Sequence, residues 1–221
     1  MTLATRLVPL LAIATALMFA PAPFMIYGAP LESTMGVIQK IFYFHVPAAT
    51  AAFMGAIVCG VASALFLWRR NRLADHFALS GAELAVLFGL IMLVTGPLWA
   101  RKAWGIWWQW DVRLTTALVM WMVFVSYLLV RRFGGPGSEM MSAVVGVFGM
   151  ALVPFVYISV NFWRTIHPTT NVVPSLPASM MWPFGWSMIA FTLLFTTLLL
   201  VRVRLETNRA MLEDAYVAME D

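Results

Sequence analysis

Six stretches of about 20 residues, at approximately 7–27, 43–68, 77–100, 114–130, 140–160 and 181–201, carry a single charged side chain between them, Glu83. That length as a helix crosses a hydrocarbon layer roughly 30 Å thick. Inside such a layer the backbone must satisfy its own hydrogen bonds, which leaves helices or a closed barrel. The Leu, Val, Met and Phe runs lack the period of two that a barrel strand needs, so helices are expected. The chain is therefore predicted to be an all-α polytopic membrane protein with six transmembrane helices and short loops. It forms a single integral membrane domain over 1–221, with 202–221 as a cytoplasmic tail of amphipathic look.

The rest of the composition narrows the function. Hydrophobic residues make up 62% of the 221 and charged ones 11%, against roughly half and a quarter in soluble domains. The one cysteine, Cys59, lies in an apolar run, so no disulfide or Cys-based metal site forms within the chain. The net charge of +4 comes from basic residues at the ends of apolar segments. It points to membrane orientation and not to nucleic acid.

Orientation follows from Lys and Arg. Arg6, Arg69, Arg70, Arg72, Arg131, Arg132, Arg202, Arg204 and Arg209 fall on one side, nine in all, against five on the other: Lys40, Arg101, Lys102, Arg113 and Arg164. Positive charge stays inside, so both termini are expected in the cytoplasm. The start of the chain, with "APAPF" after an apolar run, also fits a cleaved signal peptide. A retained helix is expected, because the run continues through Phe24, Met25 and Ile26.

The first, third and fifth connections then share the outer side. They hold "YFHVPAA" with His45, "WGIWWQWDVRLT" at 104–115, and "NFWRTIHPTTNVVPSLP" with His167. Neutral imidazoles ligate metals, and two from opposite faces can hold the iron of one flat macrocycle. Pro47 reads as a helix-entry residue that sets the angle of His45. His76 falls on the opposite side near Asp75 and Arg72 and reads as a solvated loop residue. Trp104, Trp107 and Trp108 follow i, i+3, i+4, as on one side of a helix lying in the interface. With Trp110 they form either an interfacial belt or a shelf for a large flat ring. Arg113, with Arg101 and Lys102, is suited to grip carboxylates such as propionates. Asp111 would repel them and more naturally orients Arg113 or an indole N–H.

At these residues the sequence resembles the tryptophan-rich WWD family of haem-handling proteins, which includes CcmC, CcmF and the CcsA-type synthase subunits. Six spans, a short chain, "FHVPAA" and "RTIHP" match the CcmC branch. The resemblance covers the whole layout and rests on residues 43–50, 96–115 and 161–168. It implies a role in cytochrome c maturation: non-covalent holding of haem b at the periplasmic face of the bacterial inner membrane, and its delivery to the haem chaperone CcmE. It further implies the CcmA–CcmB ATPase and CcmD as partners. His45 and His167 match the axial ligands, and Trp104, Trp107, Trp108, Trp110, Asp111 and Arg113 match the WWD platform. Pro168 departs from the family's polar residue after the second histidine, which bears on the loop path and not on the ligand.

No nucleophile, general base or nucleotide loop is visible, so a binding and transfer protein is expected, not an enzyme. Two rival classes stay open. A cytochrome b-type electron carrier needs a second haem station, and the other leaflet offers only His76. An exporter without bound haem needs polar groups at mid-membrane, and Glu83 lies near the cytoplasmic end of its span.

Overall fold

The computed structural model describes residues 3–220, with side chains from Leu7 onward, so the side chain of Arg6 and residue Asp221 lie outside the described residues. Seven helices are seen among them: α1 (Leu3–Phe19), α2 (Ala22–Gly28), α3 (Phe42–Arg69), α4 (Arg72–Trp104), α5 (Val112–Phe133), α6 (Ser138–Phe162) and α7 (Ala178–Glu220). α1 and α2 form one broken span, so six helical segments are long and apolar enough to cross a membrane. The break falls at Pro21, which precedes α2. Across it Trp186 Nε1 donates to the Met18 carbonyl at 2.7 Å, which ties the broken end to α7. No strand occurs among the described residues, only an isolated bridge between Glu32 and Gly36.

α3 and α4 make the most extensive pairing and form the centre of the bundle. α5 and α6 pack on one flank, and α1 and α7 on the other. Small residues permit the central approach. A Cβ on Gly55 would sit 2.7 Å from the Ala85 backbone nitrogen, and one on Gly81 would sit 2.7 Å from that of Cys59. Between helices in lipid, such backbone-to-backbone packing replaces the hydrophobic drive available in water. Around this centre Ala48, Ala52, Ala56, Ala78 and Ala82 are buried, while Leu90, Val94, Val144, Phe148 and Ile189 face outward.

Two sequence expectations need correction, and one gains detail. First, the tail after 201 continues the helix of the last span: α7 runs unbroken from Ala178 to Glu220. Its polar half continues the helix through Arg202–Glu206 at 2.8 Å and Arg209–Glu213 at 3.0 Å, both four residues apart. Second, His76 is not in a loop but in the second turn of α4, with Nδ1 3.0 Å from Thr207 Oγ1. α4 starts earlier than the apolar run because Asn71 caps it, accepting from Leu73 N at 2.8 Å. Third, Pro47 is not at a helix entry. A 3₁₀ turn over Val37–Ile41 leads straight into α3, which places Pro47 inside the helix.

The bundle has two unlike ends. One is charged: Arg131 makes a two-point pair with the buried Asp75, and Arg202 Nε lies 2.6 Å from Glu83. The other end gathers the connections 29–41, 105–111 and 163–177 and is mostly apolar.

Candidate functional site

At the apolar end a cavity of about 530 Å³ opens between the start of α3, the last turns of α4, the start of α5, the end of α6, the early turns of α7 and the 105–111 and 163–177 connections. That volume is in the range of cofactor and drug-sized ligand sites, roughly 300–1,000 Å³. Of the residues singled out from sequence, His45, His167, Trp104, Trp108 and Arg113 line it; Trp107, Trp110 and Asp111 do not.

His45 lies on the first turn of α3 and is 7% exposed. Its Nδ1 is 2.9 Å from Thr95 Oγ1. His167 reaches the same cavity from the loop after α6, and its Nδ1 is 2.8 Å from the Pro168 carbonyl oxygen. A carbonyl only accepts, so His167 Nδ1 carries the proton and Nε2 keeps its lone pair. Ligating histidines characteristically use the second ring N–H in this way. Pro168, the departure from the family pattern, thus supplies the carbonyl that fixes the ring. Burial first, then the positive charge of Arg113, pushes the His167 imidazole down to about 4, so it is neutral at pH 7.

The tryptophan segment is not the interfacial helix that its spacing predicts. α4 ends at Trp104, and Gly105 caps it with φ +79°, a conformation that residues with a Cβ rarely adopt. Residues 105–111 then run without regular structure to α5. The indoles split between two environments. Trp104 packs on Trp99, ring centroids 5.8 Å apart, and Trp99 in turn meets the His45 ring at 6.1 Å. Trp108 meets Trp110 edge-on at 5.7 Å, and Trp110 is 75% exposed. The Arg101 guanidinium lies over Trp107, its Cζ 6.0 Å from the ring centroid. Arg101 bonds the Gly105 carbonyl, and neither it nor Lys102 lines the cavity.

Two buried indole N–H groups, on Trp99 and Trp108, have no acceptor among the described residues. Both side chains line the cavity. Buried donors left without partners are rare in folded proteins. A ligand bearing acceptor oxygens would complete them. Trp99 was not marked out from sequence, because it lies inside an apolar run like any membrane tryptophan.

Arg113 donates to the Val156 carbonyl of α6 and lies 5.9 Å from the centre of the Phe53 ring. One guanidinium N–H is so engaged, and others remain. Asp111 is buried and does a different job from orienting Arg113. It caps α5 through Leu114 N at 2.8 Å, and its second oxygen accepts from Thr165 Oγ1 at 2.5 Å and Ile166 N at 3.1 Å. Thr165 Oγ1 also accepts from His167 N at 3.0 Å. One carboxylate thereby joins the end of the tryptophan segment, the start of α5 and the His167 loop.

Comparison with known proteins agrees across nearly the full length. The family model described as "CcmC: Heme exporter protein C" matches residues 1–217. The chain is 34% identical over 215 residues to the "Heme exporter protein C" of Bradyrhizobium diazoefficiens, an alignment covering 95% of this chain and 82% of that one. It is 31% identical over 205 residues to the protein of the same name from Escherichia coli K12, covering 89% and 82%. The Paracoccus denitrificans protein of that name is 32% identical over 187 residues, covering 81% and 78%.

Proposed function

The chain belongs to the CcmC family, and from that premise we propose that it binds haem b non-covalently in the cavity between His45 and His167 and passes it to the haem chaperone CcmE. The haem is cargo for cytochrome c maturation and not a resident cofactor. The observation that carries this reading is the pair of histidines, far apart in sequence, lining one cavity with Nδ1 of each engaged by a partner outside the ring. That leaves Nε2 of each for iron. The lining also suits the rest of the molecule: apolar walls for the macrocycle, and Arg113 with the N–H groups of Trp99 and Trp108 for propionate oxygens.

Each residue has a distinct part. His45 and His167 ligate; Trp104 and Trp108 pack along the ring; Arg113 neutralises carboxylate charge. Trp107 and Trp110, exposed beside the cavity, offer an aromatic surface to the receiving chaperone. Asp111 holds the His167 loop against α5. The work is binding and transfer, not bond-making by this chain. CcmA–CcmB and CcmD are its partners in a haem-transport complex of the bacterial inner membrane, with both termini cytoplasmic and the cavity on the periplasmic side. A cytochrome b-type carrier would need a second ligand pair at the charged end, where His76 is the one histidine and is held by Thr207.

Transfer is the test. Purified protein loaded with haem is mixed with the haem-free soluble domain of the chaperone. Haem should leave the first and appear on the second, and Trp107→Ala with Trp110→Ala should slow the transfer without reducing loading. No movement of haem, or equal loading of the chaperone from free haem alone, overturns the proposal.

A further inference from the structure

We propose that Thr95 is the positioning residue for His45: its hydroxyl fixes the imidazole as the tautomer whose Nε2 is bare, and the neighbouring Gly96 leaves the space the ring needs. The proposal rests on the haem-binding reading above and assigns work to Thr95, which lies just outside every segment carrying the tryptophan motif or the histidines, and to Gly96 beside it.

The assignment follows from counting protons. A threonine hydroxyl has one hydrogen. Thr95 Oγ1 is 2.7 Å from the Ile91 carbonyl one turn back, and 3.4 Å from that of Met92. A carbonyl only accepts, so the Thr95 hydrogen is directed into its own helix. Its lone pairs then face His45 Nδ1 at 2.9 Å. For that contact to be a hydrogen bond, Nδ1 must carry the proton and Nε2 must not. Thr95 acts for His45 as the Pro168 carbonyl acts for His167, although the two acceptors come from unrelated parts of the fold.

Gly96 supplies the second half. A Cβ built there would lie 3.3 Å from His45 Cε1, the carbon between the two ring nitrogens. Contact that tight requires the neighbour to shift, and the neighbour here is the imidazole itself. Trp99, one turn on from Thr95, meets the same ring at 6.1 Å and an interplanar angle of 64°. Residues 95 and 96 thus bound the ring on the side carrying Nδ1, and Trp99 on the same helix packs against it. Outer partners of this kind set both the direction and the basicity of a ligating histidine.

Two measurements on the full-length protein test this, with Thr95→Val, Thr95→Ser and Gly96→Ala as variants. The first uses no haem: nitrogen-15 NMR of the histidine rings in detergent. Wild type and Thr95→Ser should show His45 as a single tautomer protonated at Nδ1, and Thr95→Val should lose that preference. The second loads haem. Thr95→Val should retain it about ten- to a hundredfold less well, with a raised reduction potential because the ligand is less basic. Thr95→Ser should restore both values, and Gly96→Ala should alter the spectrum with the hydroxyl intact. If wild type takes up haem and Thr95→Val leaves tautomer, retention and potential unchanged, the role of Thr95 is refuted while the haem reading stands. If wild type takes up no haem, the haem reading falls, and the role of Thr95 toward an iron ligand falls with it.

Discussion

Asp111 does not line the cavity, yet its loss should open it. Asp111→Ala removes the cap of α5, which costs about 1 kcal/mol, and frees Thr165 and Ile166 beside the second histidine. We predict faster proteolysis within 161–177 and weaker haem retention, with Asp111→Asn intermediate because its amide oxygen still caps. Unchanged proteolysis in the alanine variant would contradict the tether. A pH titration examines His167. Its folded value of about 4 lies below the unfolded value of about 6.5, so the unfolded chain binds more protons between these limits. Stability from this group is complete above pH 6.5 and is lost as pH falls toward 4. Ligation should follow the folded value: haem uptake should hold from pH 7 down to about 5 and decline near 4. Loss of uptake already at pH 6.5 would show an imidazole that is not shielded. At this scale the sequence was legible where a residue is chemically rare. Two histidines on one side of the membrane and an arginine beside four indoles stand out in so apolar a chain. Thr95 and Trp99 do not, since each sits in an apolar run and takes its meaning from a partner 50 residues away or from the cavity it borders. The link from Asp111 to Thr165 spans 54 positions and leaves no local spacing to read.

Among the elements, α3 and α4 set the frame of the site, since His45 stands on one and its hydrogen-bond partner on the other. The glycine contacts keep them close. Gly81→Leu should force the helices apart at Cys59, costing about 1–3 kcal/mol by overpacking, and should lower both the melting temperature and haem retention. Gly185→Ala, where an added Cβ meets nothing within 4 Å, should change neither; equal effects of the two would deny the close contact its role. The helices were readable as elements because long uncharged runs in lipid permit little else. Their ends were not. α4 continues through Arg101 and Lys102 to Trp104, and α7 through about five further turns rich in charged residues, since leaving the apolar layer does not end a helix of good helix formers. The tryptophan segment misled in the other direction. Trp104, Trp107 and Trp108 have helical spacing, but Gly105 in a left-handed conformation ends the helix right after the first of them. One glycine cancelled the helix, and with it the shared face: Trp104 and Trp108 line the cavity and Trp107 does not.

As a whole the molecule is polarised, with arginine–carboxylate pairs at one end and the histidine cavity at the other. At 1.5 Å per residue the 43 residues of α7 extend about 65 Å, well beyond a hydrocarbon core of about 30 Å, so its polar half projects past the charged end. A reporter active only in the periplasm, fused after Asp221, should be silent, and one inserted in 163–177 should be active; the reverse pattern would invert the membrane orientation. The polarity was legible from counting Lys and Arg, whereas the cavity was not, because it exists only once segments from distant parts of the chain converge. The central claim is that His45 and His167 hold one iron. Its most direct measurement is the optical and paramagnetic resonance spectrum of purified haem-loaded protein, wild type beside His45→Ala, His167→Ala and His76→Ala. The account predicts a low-spin bis-imidazole spectrum in wild type and His76→Ala, and its loss in each of the other two. A wild-type spectrum that survives replacement of either His45 or His167 would contradict it.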